Sequence, residues 1–441
     1  MLIKNARIVN EGRQFEGDVL IQAGRIERIG PALSCPAGSV LFDARGRLLI
    51  PGMIDDQVHF REPGLTHKGD LATESAAAVA GGITSFFDMP NVSPTTTTRA
   101  ALAAKYALAR GRTHANHAFY LGAANDNADE IARLERDEAC AVKVFMGAST
   151  GNMLVDDPRT LERIFARSRL PIVTHCEDTP MIKRNEDAAR RRWGDRVPFS
   201  EHPRIRSAEA CYASTKLAVG LAKQFDADLH VLHLTTAREL DFFTAGPVES
   251  KKITVEACVH HLFFDDSQYA TLGAQIKCNP AVKTAADRRA LLAAVREGRI
   301  DVIATDHAPH TAAEKNAPSY FKAPSGLPLV QHALLALFKL VADGELDVYT
   351  VVDKTSHAVA KRFGIVDRGY IREGCHADLT LVDTGATTTV TRQSLLYKVG
   401  WSPFEGMSFP ARIEATWVNG ELAYHDGHVI PRAAGQRIRF A

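Results

Sequence analysis

Met53-Ile54-Asp55-Asp56-Gln57-Val58-His59-Phe60-Arg61 opens as an apolar strand and closes on polar and ionisable side chains. Strand side chains alternate between faces, so Gln57, His59 and Arg61 share one of them, at the end of the segment where packing gives way to chemistry. The design recurs downstream. Apolar runs at 83–89, 115–121, 141–145, 172–175, 229–234, 253–259 and 302–305 join 53–60 to make eight strands. Several close on polar groups: Asp88 before Met89-Pro90-Asn91, Lys143 between two valines, His175, His233, and Thr305-Asp306-His307-Ala308-Pro309-His310. Segments 71–80, 99–109, 158–166, 208–224 and 287–295 between them carry helix-favouring, periodic sequence. Alternating β and α units predict an α/β fold, a (β/α)8 TIM barrel, whose working face is the C-terminal end of its strands.

Working outward, residues 2–9, 18–22, 25–29 and 40–42 read as short strands of a small antiparallel module. Its composition returns after about residue 370, where strands at 378–382 and 413–418 precede Asn419-Gly420, a hairpin signal. Residues 1–50 and 369–441 are therefore expected to form one small β-sandwich module beside a barrel spanning 51–368. The Arg- and Glu-rich stretch 184–202 reads as a solvated helix and loop, and 311–328, with Pro318, Tyr320, Pro324 and Gly326, as a lid after the eighth strand. The His260-His261 pair is placed at the end of the seventh strand, with a supporting and a structural reading equally open.

The 441 residues carry 53 basic and 52 acidic side chains, a formal charge of +1, which leaves no basic excess for a nucleic-acid surface. No apolar run approaches the length of a membrane span, and the amino terminus lacks signal-peptide order, so a soluble cytoplasmic protein is expected. The seven cysteines are scattered and never form a CxxC pair, which argues against a disulfide framework or a cysteine zinc site. The expected partners are a small-molecule substrate and further copies of the chain, as a homodimer or higher homo-oligomer.

A histidine at one strand end is ordinarily a hydrogen-bonded core residue. Histidines at 59, 175 and 233, on equivalent ends of different strands with Asp306 on another, form a set suited to zinc or a similar divalent ion. Lys143 is sharper, because lysine is almost never buried unpaired in a strand covered on both faces. Either its stem snorkels to the rim, or CO2 has converted it to an anionic carbamate able to bridge cations. Asp306 either caps the next segment or exchanges a proton with water.

These blocks, together with Pro51-Gly52 before the strand, Glu62-Pro63-Gly64 after it and Asn279-Pro280, resemble the amidohydrolase superfamily and, within it, the dihydroorotases, over nearly the whole chain. The resemblance implies His59, His175 and His233 as metal ligands, Lys143 as a carboxylated bridge, and Asp306 as both ligand and general acid/base. It implies one or two Zn2+ per chain, and Arg61, Asn91 and His310 around a substrate carboxylate, with Asn279 contributing to substrate binding. The chain departs from the family's HxH at Gln57, a weaker ligand for zinc, so at least one metal is expected and the second is weak, partial or absent. The implied reaction is reversible hydrolysis of L-dihydroorotate to N-carbamoyl-L-aspartate, in pyrimidine synthesis. A hydantoinase or allantoinase shares the metal set but has no need of the Arg61, Asn91 and His310 clamp. A non-catalytic barrel partnering an enzyme such as aspartate transcarbamoylase is favoured by Gln57 alone.

Overall fold

The computed structural model describes residues 1–147, 153–155 and 157–441. Its centre is a parallel barrel of Met53–Val58, Ile83–Asp88, Asn116–Phe119, Val142–Phe145, Ile172–His175, Leu229–Val231, Ile253–Cys258 and Val302–Ala304. Leu121–Gly122 extends the third strand toward the fourth. Successive strands pair in parallel, and the seam between the third and fourth is carried by Cys140 N–H to Phe119 O and Leu121 N–H to Ala141 O. The ring closes where Val58 bridges His307 and His59 N–H donates 2.7 Å to the His307 carbonyl.

Helices cover the outside. Leu71–Ala80 starts at Asp70, whose carboxylate accepts from Ala72 and Thr73 N–H, and Ala285–Arg296 starts at a reciprocal Thr284–Asp287 box. Ala208–Phe225 buries Ala210, Cys211, Ser214, Thr215, Ala218, Val219, Leu221 and Ala222, a small-residue face that allows close approach to the strands. Among the described residues no helix is long and apolar enough to cross a membrane.

Both chain ends enter one nine-stranded sheet. Leu48–Pro51 lies between Leu2–Asn10 and Leu379–Asp383, parallel to the first and antiparallel to the second. The amino-terminal part is thus mixed rather than purely antiparallel, because residues 31–40 carry the chain back before Leu41–Asp43 and Leu48–Pro51 pair with Leu2–Asn10. A separate core of Ile3, Ile8, Val19, Ile21, Leu379, Leu381 and Trp417 holds this sheet together. Arg412–Val418 and Glu421–His425 form the expected hairpin, with Asn419 and Gly420 at φ of 52° and 75°, the left-handed pair that such a two-residue turn requires.

Candidate active site

The barrel strands stop early, and the residues that follow turn sharply. Arg61, His233 and Asp306 sit at positive φ of 70°, 40° and 50°. A left-handed backbone at a side-chain-bearing residue costs roughly 1–2 kcal/mol, and here it occurs at the ends of the first, sixth and eighth strands, where it aims each side chain across the mouth. Arg61 reaches the mouth by this turn, three residues past the strand end at Val58, rather than by strand alternation.

All the candidates from the sequence line one cavity of about 320 Å3: Gln57, His59, Arg61, Asn91, Lys143, His175, His233, Asn279, Asp306 and His310. Phe145, Arg206, Ala308 and the loop Pro324, Ser325 and Gly326 complete its wall. At Gly326, with φ of 140°, an added Cβ would fall 2.3 Å from the Ala308 carbonyl and 3.1 Å from the His310 ring, so the loop's close approach requires glycine.

His175 donates from Nε2 to Glu177 Oε2 at 2.8 Å, which leaves the Nδ1 lone pair toward the cavity, 3.0 Å from His233 Nε2. Glu177, fully buried, also accepts from Arg206 Nη1. Burial pushes its carboxyl up, but Arg206 and His175 outweigh burial and hold it at about 2. The Lys143 amine is buried against the Phe145 ring, 4.6 Å from its centroid, with no hydrogen bond to a described residue, and burial lowers its pKa to about 8. A lysine so placed is readily neutral, the form that adds CO2.

Asp306 Oδ1 takes two contacts, from Gln57 Nε2 and from His59 Nε2, each at 3.1 Å. Burial raises its carboxyl, and the hydrogen bond and charge of His59 more than compensate, so it lies below the usual carboxylate range. Asn91 Oδ1 accepts from His59 Nδ1 at 2.8 Å. With Nδ1–H given to Asn91, the 3.1 Å contact of His59 Nε2 with the Asp306 carboxylate is held only with a proton or a cation between them. With two imidazole nitrogens and an unpaired lysine opposite, the donor set fits a divalent ion. Gln57 turns its amide nitrogen to Asp306 and its Oε1 to Cys258 Sγ, 3.7 Å away, so in this conformation it is a donor to Asp306.

Arg61 is fixed by Nε to the Pro309 carbonyl at 3.0 Å and lies with Nη2 3.1 Å from His310 Nε2, while His310 donates from Nε2 to the Ser325 carbonyl at 3.0 Å and accepts from Lys68 Nζ at Nδ1, also at 3.0 Å. Burial and these two cations push His310 far below its ordinary pKa, so its ring is neutral. Asn279 Oδ1 is buried without a hydrogen-bond partner among the described residues. Residues 311–328 do not form a free lid. The buried Lys315 Nζ donates to the Lys277, Pro324 and Gly326 carbonyls, and Lys277 Nζ to those of Tyr320 and Ala323, with burial lowering the two lysines to about 7 and about 8. Two buried lysine side chains strap the loop down by its backbone.

Other expectations are corrected. His260 and His261 belong to the short helix Val259–Phe263 beyond the seventh strand, since the chain turns helical at Val259. Within the charged stretch, Thr179–Trp193 is mostly solvated, but His202 is fully buried between the Tyr320 hydroxyl and the Cys278 carbonyl. Glu177, Arg206, Lys68 and the two strap lysines were not anticipated. Only Glu177 carried a signal, being two residues past His175 on the same alternation.

Comparison with known proteins places this geometry. Residues 48–423 match the model of the amidohydrolase family. The chain is 34% identical to a dihydroorotase of Halobacterium salinarum, over 98% of this chain and 100% of that protein. It is 32% identical to an allantoinase of Solibacter usitatus, over 99% and 96%. Its fold is similar to that of an L-hydantoinase (dihydropyrimidinase) from Arthrobacter aurescens, with a TM-score of 0.94, 25% identity and 99% of each chain covered.

Proposed function

The chain belongs to the amidohydrolase family, and from that premise we propose that this cyclic amidohydrolase is a dihydroorotase, interconverting L-dihydroorotate and N-carbamoyl-L-aspartate. The observation that carries the substrate is the cationic wall of the cavity. Arg61 lines a pocket in which Asp306 is the one acidic lining residue among those described, and Lys68, behind His310, is paired with Glu314 at 2.9 Å outside it. Hydantoin and allantoin bring no carboxylate to this wall, and would leave a buried guanidinium unmatched. Arg61 Nη1 and Asn91 Nδ2 make no hydrogen bond with a described residue, so each is open to donate to one oxygen of the substrate carboxylate.

Lys143 as a carbamate, His175 and His233 would hold one divalent ion of the zinc class, and His59 with Asp306 would offer a weaker place for a second. When bound, such an ion supplies Lewis acidity, polarising the ring carbonyl and acidifying water toward pKa ~7. Asp306 does the proton work. Its Oδ1 is occupied by His59 and Gln57, and Oδ2, free of hydrogen bonds to described residues, takes a proton from the attacking water. That proton passes to the ring nitrogen as the C–N bond breaks, so water adds across one amide bond. Glu177 keeps the Nε2 proton on His175 and thereby its Nδ1 lone pair on the cavity side. Asn279 and the Pro324 to Gly326 loop confine the ring.

The test is a panel of cyclic amides with purified enzyme loaded with Zn2+. A kcat/KM on L-dihydroorotate at least a hundredfold above those on hydantoin, dihydrouracil and allantoin is expected, with N-carbamoyl-L-aspartate as product. Equal or better turnover of allantoin would overturn the assignment in favour of the activity named for the Solibacter usitatus relative.

A further inference from the structure

Beneath the mouth, inside the barrel, is a second polar cluster that the proposed reaction does not use. Asp56 on the first strand, His230 on the sixth and Glu256 on the seventh are all fully buried. One donor atom from each can be chosen so that all lie within 4.8 Å of one another. His230 Nε2 is 3.5 Å from Asp56 Oδ2 and 3.9 Å from Glu256 Oε2. Both Asp56 oxygens, Glu256 Oε2 and His230 Nε2 have no hydrogen-bond partner among the described residues. The surroundings offer no relief, for the Phe363 ring lies 5.7 Å from that of His230 and the Tyr120 hydroxyl is spent on the Asp56 carbonyl.

The orientation of each group is fixed from outside. The Thr254 hydroxyl donates to the Leu229 carbonyl, so its oxygen accepts from His230 Nδ1–H at 2.8 Å, which leaves His230 Nε2 facing the two carboxylates. Glu256 Oε1 is held by His233 N–H at 3.1 Å and Cys258 Sγ at 3.2 Å, which leaves Oε2 facing the cluster. Neither carboxylate has an ion pair with a lysine or arginine among the described residues; burial and the Asp56 charge push the Glu256 carboxyl up to about 7, and at His230 the contacts with Asp56 and Glu256 outweigh burial and raise the ring, so without an ion only protons offset the buried charge.

We propose that Asp56, His230 and Glu256 form a closed structural site for a divalent cation of the zinc or manganese class, separate from the centre at the barrel mouth. Ligand atoms about 2.1 Å from an ion in a tetrahedron stand roughly 3.4 Å apart, close to the observed spacing and too long for direct hydrogen bonds. A dication cancels both carboxylate charges, and imidazole with carboxylate oxygen is a ligand set such ions take. With Asp56 bound through both oxygens, the unpartnered atoms are four donors around one ion, and the ion's work is to tie the first strand to the sixth and seventh across the barrel.

The decisive measurement is anomalous scattering at the zinc edge from crystals of the unmodified protein equilibrated with Zn2+, with a parallel set in Mn2+. A peak about 2.0–2.2 Å from His230 Nε2 and oxygens of Asp56 and Glu256 is expected in one set or both. In solution, Asp56→Asn and Glu256→Gln should each bind one ion fewer per chain than the parent by elemental analysis. No anomalous density at the cluster in either set, while the ion among Lys143, His175 and His233 is seen, would overturn the proposal, as would unchanged stoichiometry in both folded variants. Neither readout depends on which cyclic amide is the substrate.

Discussion

Replacing Glu177 by glutamine tests how the histidine cluster is held. Glu177 accepts from His175 and Arg206 with no exposure to solvent, and its carboxyl lies at about 2 against an ordinary 4.5. That shift of about 2.5 units corresponds to about 3 kcal/mol favouring the ionised form in the folded state. A depressed carboxylate pKa adds stability that is complete above about pH 4.5 and is lost as pH falls toward 2, with roughly 2 kcal/mol gone by pH 3. Glutamine does not titrate, so Glu177→Gln lacks this loss. Urea unfolding of chelated parent and variant between pH 7 and 3, followed by circular dichroism, should show the parent losing about 2 kcal/mol more than the variant. At pH 7 the variant should also bind Zn2+ some 10–100-fold more weakly, because the neutral amide polarises the His175 ring less. Parallel stability curves over that pH range would refute the view that Arg206 and His175 hold this carboxylate down.

Arg61→Lys keeps the charge but loses the fork and the Pro309 contact; one charged hydrogen bond of about 1.5–3 kcal/mol predicts a KM for L-dihydroorotate roughly 10–150-fold higher with metal content unchanged, and an unaltered KM removes Arg61 from the clamp. Lys143→Ala should lose both metal and turnover, with partial recovery in a small carboxylic acid; electron density ending at the amine in a fully metallated, active crystal of the parent would disprove the carbamate. Gln57→His should raise the number of ions at the mouth, read by elemental analysis, and an unchanged count would show that Gln57 is not what weakens the second place. Lys315→Met leaves buried carbonyls unpaired at a cost on the order of 2 kcal/mol, so limited proteolysis within 316–326 should speed roughly thirtyfold, and equal cleavage rates would mean the strap is not held by this lysine.

Strand periodicity made most of the cavity legible in advance. His59, His175, His233 and Asp306 were readable because they break apolar strands at the same end, and Lys143 because an isolated lysine between valines has no bland home. What escaped depends on geometry that alternation does not encode. The pairing register slips between Asp55 and Val58, and Asp56 reaches the barrel interior as well as its neighbour Gln57. Glu256 and His230 look like ordinary strand residues until Asp56 is brought across to them. Arg206 and His202 lie in charge-rich sequence whose composition says solvent, yet His202 is sealed by the Tyr320 hydroxyl, more than a hundred residues on. The strap lysines bond only to backbone carbonyls, which leave no trace in side-chain pattern.

The sheet shared by the two chain ends has a consequence for how the protein is made. Leu48–Pro51 emerges early in synthesis, but its partner Leu379–Asp383 follows more than three hundred residues later. At roughly 5–20 residues per second, the ribosome leaves that strand without its neighbour for some 20–60 s. Throughout this interval the nascent chain presents an open, apolar Leu48-Leu49-Ile50 edge of the kind that recruits other strands. Translation pausing near the 3′ end of the message, or a nonsense mutation there, would prolong that exposure and tip the product toward aggregation even with every barrel residue already synthesised.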